Sequence, residues 1–167
     1  MSILALTEHP KGVETGLGNR VVYDLARDEA HVGAAQVEGH ALVWELTGDP
    51  GPGDWILRCD RVDFPPGGIA YRHVHPGPGI RRLLFGELTI EAPDGTRRYR
   101  PGDSWHEAAN LPVLATASET VGTAFVRVML LPAEWKGKRT IRYVDPADEK
   151  KPKLQRAAIF LEHAVQR

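Results

Sequence analysis

His73 and His75 are separated by one residue in the stretch GGIAYRHVHPGPGIRRLLFGELTIEAPDG, which runs from Gly67 to Gly95. In an extended chain, residues i and i+2 project from the same face. Both imidazoles can therefore reach one point, and neutral imidazole is a ligand for divalent metal ions. The competing reading is a pair of hydrogen-bonded pocket histidines that hold no metal. Two ligands alone bind weakly, so a metal reading requires a third donor. Strand alternation turns Ile69 and Tyr71 to the same side as the histidines. Carried forward from Gly79, it turns Arg81, Leu83 and Phe85 inward and leaves Arg82 on the opposite face. An inward Arg81 could clamp the carboxylate or phenolate of a small ligand through two parallel hydrogen bonds.

The elements that must position these residues read as strands. The chain has 17 Gly and 13 Pro, and they fall between short apolar runs, which is the punctuation of an all-β protein. Strands are predicted near 20–25, 40–47, 55–63, 69–75, 80–85, 87–92, 97–100, 104–107, 112–117 and 122–131. Pro93-Asp94-Gly95 is a turn signal between two of them, and 48–54 (GDPGPGD) is a loop. One short helical turn is expected after Pro132, and the charged, proline-broken segment 145–153 reads as an exposed linker. The last run, LQRAAIFLEHAVQR, is read as a strand or extended arm that pairs with N-terminal strands. No internal repeat is evident, which favours a single barrel.

The spacing around the histidines resembles the first signature of the cupin superfamily: a Gly, five residues, His-x-His, three or four residues, a Glu, six residues and a Gly. Gly67, His73, His75 and Gly86 fall in that register, and Gly79 stands at the Glu position. Gly102 and Asp103 match the start of the second signature. Beyond them Ala108 replaces its Pro, Asn110 its second Gly, Val113 its His and Ala117 its final Asn. Asn tolerates left-handed backbone angles, so the exchange at 110 is mild; an aliphatic side chain at 113 cannot bind a metal. The resemblance spans roughly residues 40–131 and implies one jelly-roll-like β-barrel. Residues 1–39 would be an N-terminal strand extension, and 132–167 a linker and arm packed on the barrel or on a partner subunit.

The resemblance further implies that Trp105 and Glu107 face inward and His106 outward; His106 becomes the candidate ligand if the strand phase is off by one. Tyr71, Arg81, Trp105 and Val113 would then line a substrate pocket. A carboxylate inside an apolar barrel is costly unless coordinated or paired. Two solutions remain open. His73, His75 and Glu107 would form a two-histidine, one-carboxylate site suited to Fe, Mn, Ni or Zn, or Glu107 would pair with Arg81. The first favours a metal-dependent enzyme of oxygenase, isomerase or hydrolase type, with Glu107 as ligand or base and Arg81 positioning the substrate. The second favours a metal-free, non-catalytic cupin that binds or senses a small anionic ligand. No organic cofactor is expected.

A formal net charge of −1 gives no electrostatic reason to expect nucleic acid or an anionic membrane as partner. No apolar run is long enough to span a bilayer, and the N-terminus lacks the basic start of a secretory signal. The single Cys59 cannot form an internal disulfide, which fits a cytoplasmic setting; it reads as a small core residue. His9, His31, His40 and His163 read as surface or interface residues. The resemblance also implies a homodimer, with Leu84 and the Ile159–Leu161 run as candidate interface residues. Packing of the same residues within one chain is the alternative.

Overall fold

The computed structural model describes residues 3–167. The N-terminal part holds β1 (Leu4–His9), β2 (Val13–Thr15), β3 (Arg20–Asp24), β4 (Glu29–Val32), β5 (Ala35–Val37) and β6 (Ala41–Leu46). Then follow β7 (Trp55–Phe64), β8 (Ile69–Val74), β9 (Gly79–Phe85), β10 (Leu88–Ala92) and β11 (Gly95–Tyr99). The barrel ends with β12 (Ser104–Glu107), β13 (Val113–Ala117) and β14 (Thr123–Pro132), and the C-terminal arm holds β15 (Arg142–Tyr143) and β16 (Arg156–Ala164). All ten strands expected from 20 to 131 are present. The additional ones, such as β2 (VET) and β4 (EAHV), are short and mixed in polarity, so alternation gives no signal there.

Three layers stack on one another. The middle sheet runs β12-β9-β14-β7-β16, and a second runs β11-β10-β13-β8-β15. Their facing sides share one apolar cluster, with Phe64, Leu83, Trp105 and Phe125 from the first and Ala70, Ile90 and Val113 from the second. The N-terminal sheet, β1-β6-β3-β4, covers the outer side of the middle sheet. There Val21, Tyr23, Leu42 and Trp44 meet Leu57, Cys59, Val126 and Val128. The expected barrel strand at 40–47 therefore lies in the outer layer, paired with β1 and β3. Its alternate faces enter two different apolar clusters.

Burial on both faces explains the composition of β14, TAFVRVMLLP, in which nine consecutive residues are buried. Such a strand reads as a nearly continuous apolar run, and Arg127 is the one charge in it.

Two irregularities interrupt the alternation. Val113 pairs with His73 and Ala115 with Ala70, so two residues of β8 oppose one of β13. This β-bulge puts Ala70 on the inner side together with His73. It overturns the expected inward placement of Ile69 and Tyr71. A second register shift sets Ala124 against Phe85 and Phe125 against Leu83. Leu83 stays in the interior, whereas Phe85, expected inward, is 43% exposed.

The C-terminal arm packs on its own barrel. The turn expected after Pro132 is a 3-10 helix over Ala133–Trp135, and a second one, Pro146–Lys150, interrupts the linker. β15 pairs with β8 and β16 with β7. Leu84, Phe160 and Leu161 pack in this chain against the cluster beneath the N-terminal sheet, while Ile159 is 46% exposed. Among the described residues no helix is long and apolar enough to cross a membrane.

Candidate functional site

The two barrel sheets and residues 137–159 enclose a cavity of about 600 Å³, within the roughly 300–1,000 Å³ typical of small-molecule sites. Its inner part is apolar, formed by Phe64, Ile90, Trp105, Val113 and Phe125 among others. Trp105 is packed between Tyr99, stacked at a centroid distance of 4.3 Å, and the edge of Phe125 at 5.6 Å. The polar part is built from residues on five strands: His73 on β8 with His75 just beyond its end, Arg81 on β9, Glu107 on β12, and the paired Asp60 and Arg127 on β7 and β14.

The bulge in β8 also orders the first histidine. The His73 ring bends back on its own strand, and its Nδ1–H donates to the Tyr71 carbonyl at 2.7 Å. A carbonyl only accepts, so Nδ1 carries the proton and Nε2 holds a lone pair. Burial pushes the His73 pKa down to about 4; the bond to Tyr71 opposes that shift without cancelling it. His75 is held differently. Arg127 Nη1 donates to its Nε2 at 3.3 Å, so its Nδ1–H donates to Thr140 Oγ1 at 3.0 Å. Burial, then the charges of Arg127 and Arg81, hold His75 well below the ordinary histidine value. Both rings are neutral at pH 7, with centroids 5.0 Å apart.

The carboxylates are committed as well. Arg127 grips Asp60 through Nε at 2.6 Å and Nη2 at 3.0 Å, a forked charge-assisted pair. Arg81 Nη2 lies 2.7 Å from Glu107 Oε2, and Trp105 Nε1–H donates to Glu107 Oε1 at 3.2 Å. Burial lowers Arg81 to about 10, which leaves it charged at neutral pH. Its Nη1 is buried without a hydrogen-bond partner among the described residues.

Of the residues expected at the site, His73, His75, Arg81, Trp105, Glu107 and Val113 all line the cavity, and His106 is exposed on the outer face. Tyr71 does not line it: the bulge turns its side chain away, and the residue contributes its carbonyl instead. Residues missed from sequence are Asp60, Arg127, Arg58 and Thr140. Arg127 was marked as the one charge in an otherwise apolar strand, whereas Arg58 and Asp60 lie in a strand with four charged residues. Thr140 lies in an irregular segment that carries no such mark.

A metal ion, which the cupin resemblance implies, does not fit this donor set. Among the described residues no three His, Cys, Asp or Glu side chains are grouped so as to hold one. The expected set of His73, His75 and Glu107 for Fe, Mn, Ni or Zn is not assembled. His75 Nε2 faces a guanidinium, and Glu107 is bound on both oxygens. Gly79 gives the steric reason for the missing Glu. A Cβ there would lie 2.8 Å from the Val128 carbonyl oxygen and 3.0 Å from Arg81 Nη1.

Two facing antiparallel five-stranded sheets around a central cavity, with His-x-His on one inner strand, complete the observation. The barrel is similar in fold to those of cupins. No protein-family profile matches the chain, and neither does any curated protein. Solved structures, some of them described as cupins, do align with it. An RmlC-like cupin from Shewanella frigidimarina shares 18% identity over 52% of this chain and 83% of its own, with a TM-score of 0.42. The polyketide cyclase RemF from Streptomyces resistomycificus shares 19% over 61% and 72%, with a TM-score of 0.44. KdgF from Halomonas sp. shares 22% over 49% and 84%, with a TM-score of 0.40. These likenesses concern the barrel alone.

Proposed function

We propose that this cupin barrel binds a small organic anion with an apolar body, and does so without a metal. The reading is carried by Arg127 Nη1 on His75 Nε2: a fixed guanidinium occupies the lone pair a metal would need. Six cationic side chains line the cavity against three carboxylates. Lys138, Arg139 and Lys153 supply the excess near the C-terminal segment, and the aromatic inner wall accepts the apolar part. A guanidinium matches a carboxylate in shape as well as charge. The binding role, rather than a catalytic one, is supported by the engagement of both Glu107 and Asp60 by arginine.

The test uses protein purified without a histidine tag. Elemental analysis is expected to find no stoichiometric transition metal. In thermal unfolding, 2-naphthoate should raise the midpoint more than the neutral 2-naphthamide, because a ligand that binds only the folded state stabilises it. One equivalent of metal that disappears in His73→Ala would overturn the metal-free reading. Equal shifts by acid and amide, or none from the acid, would overturn the anion reading.

A further inference from the structure

Among the histidines and carboxylates at the inner end of the cavity, one acceptor nitrogen stands open to a ligand; further out, Gln155 Oε1 and the Tyr143 hydroxyl also line the cavity without a hydrogen-bond partner among the described residues. Glu107 is covered by Arg81 and Trp105, Asp60 by Arg127, and His75 Nε2 by the same arginine. His73 Nε2 differs. Its lone pair is fixed there by the Nδ1–H bond to Tyr71, the ring lines the cavity, and among the described residues Nε2 has no hydrogen-bond partner. The neighbouring groups are cationic. After its bonds to Asp60 and His75, Arg127 keeps one N–H on each terminal nitrogen, and Arg81 Nη1 is buried with no partner among the described residues. An acceptor thus adjoins a cation, with the His73 and His75 centroids 5.0 Å apart and His75 bonded to Arg127. Beside them lies the aromatic wall of Trp105 and Phe125.

We propose that the ligand is an aromatic carboxylic acid with a ring hydroxyl ortho or meta to the carboxylate, the carboxylate held by arginine and the hydroxyl donating to His73 Nε2. The inference rests on the anion-binding reading above. A hydroxyl is selected over an ammonium donor because Arg81 and Arg127 repel positive charge there. The aromatic body fits the inner wall lined by the rings of Phe64, Trp105 and Phe125, where offset and edge contacts are favourable. Buried polar groups left unpaired by the wrong ligand are what make such a site discriminate.

The experiment is calorimetric titration of the full chain with 2-naphthoate, with its 3-hydroxy and 4-hydroxy derivatives, and with the methyl ethers of those two. The expected result is that at least one hydroxy acid binds roughly tenfold or more tightly than its own ether, the cost of leaving a buried acceptor unpaired. In His73→Phe, each hydroxy acid should lose its advantage over its own ether. Equal affinity of both acids and their ethers for the unaltered protein overturns the hydroxyl assignment and leaves the anion reading standing. A preference for hydroxyl that survives in His73→Phe also overturns it. Failure of every acid to bind overturns both.

Discussion

The paired strands β7 and β14 bury both of their faces, and the two faces are built on opposite principles. The side under the N-terminal sheet is apolar at its centre, with Leu57, Cys59, Val126 and Val128 at zero exposure, and carries charge only toward one end, where Arg61 pairs with Asp28 and Asp63. The cavity side places Arg58, Asp60 and Arg127 one residue away along the same strands, almost as deeply buried. Desolvating charges costs several kcal/mol per ion, and pairing them repays this only in part. The outer face therefore supplies the stability and the inner face spends some of it on a fixed polar wall. Deep burial is shared, so it is the chemical character that separates scaffold from site.

The comparison breaks most readily at Asp60. Replacing Asp60 with Ala strands the Arg127 guanidinium and should cost about 3–5 kcal/mol in urea unfolding, the usual penalty for removing one partner of a buried pair. If the inner face is functional rather than stabilising, the double variant Asp60→Leu with Arg127→Met should be neutral or up to about 4 kcal/mol more stable and lose the preference for acid over amide. A double variant as unstable as Asp60→Ala would place the pair among the scaffold groups.

Acidity tests the same face more gently. His73 titrates near 4 in the folded chain against an ordinary 6.5, and His75 is shifted in the same direction. The unfolded chain then holds more protons between those values, so stability falls as pH drops through that window and is unaffected by these groups above it. Urea midpoints between pH 4 and 7 should show that decline, and His73→Asn should flatten it.

The smallest effect is expected at Glu107. The Glu107→Gln change keeps an acceptor for Trp105 but removes the charge facing Arg81, so naphthoate affinity measured by calorimetry should rise severalfold. Unchanged affinity would mean that Arg81 takes no part in holding the acid.

Much of this arrangement was legible in the chain itself. Alternation placed His73, His75, Arg81 and Leu83 on the inner face. The cupin register did the same for Trp105, Glu107 and Val113. It failed at Tyr71 and Phe85, because a bulge adds a residue without altering composition and nothing in the local pattern announces it. Glu107 was seen to need a partner, and the choice between metal and Arg81 was decided by geometry that spans β9 and β12. Arg127 and Asp60 were overlooked because their partnership joins strands far apart in sequence, and an isolated charge in an apolar run does not say which face it serves.

The missing side chain at Gly79 has a consequence for how this barrel can change. A glutamate cannot be restored there by a single exchange, since its first carbon would press on the main chain of the neighbouring strand at Val128 before its carboxyl reached the histidines. The Arg81 guanidinium, at the end of a flexible side chain, could swing aside, but the carbonyl of Val128 could not. Placing a carboxylate at 79 would therefore require the backbone of two adjoining strands to move apart, which a side-chain exchange alone does not supply.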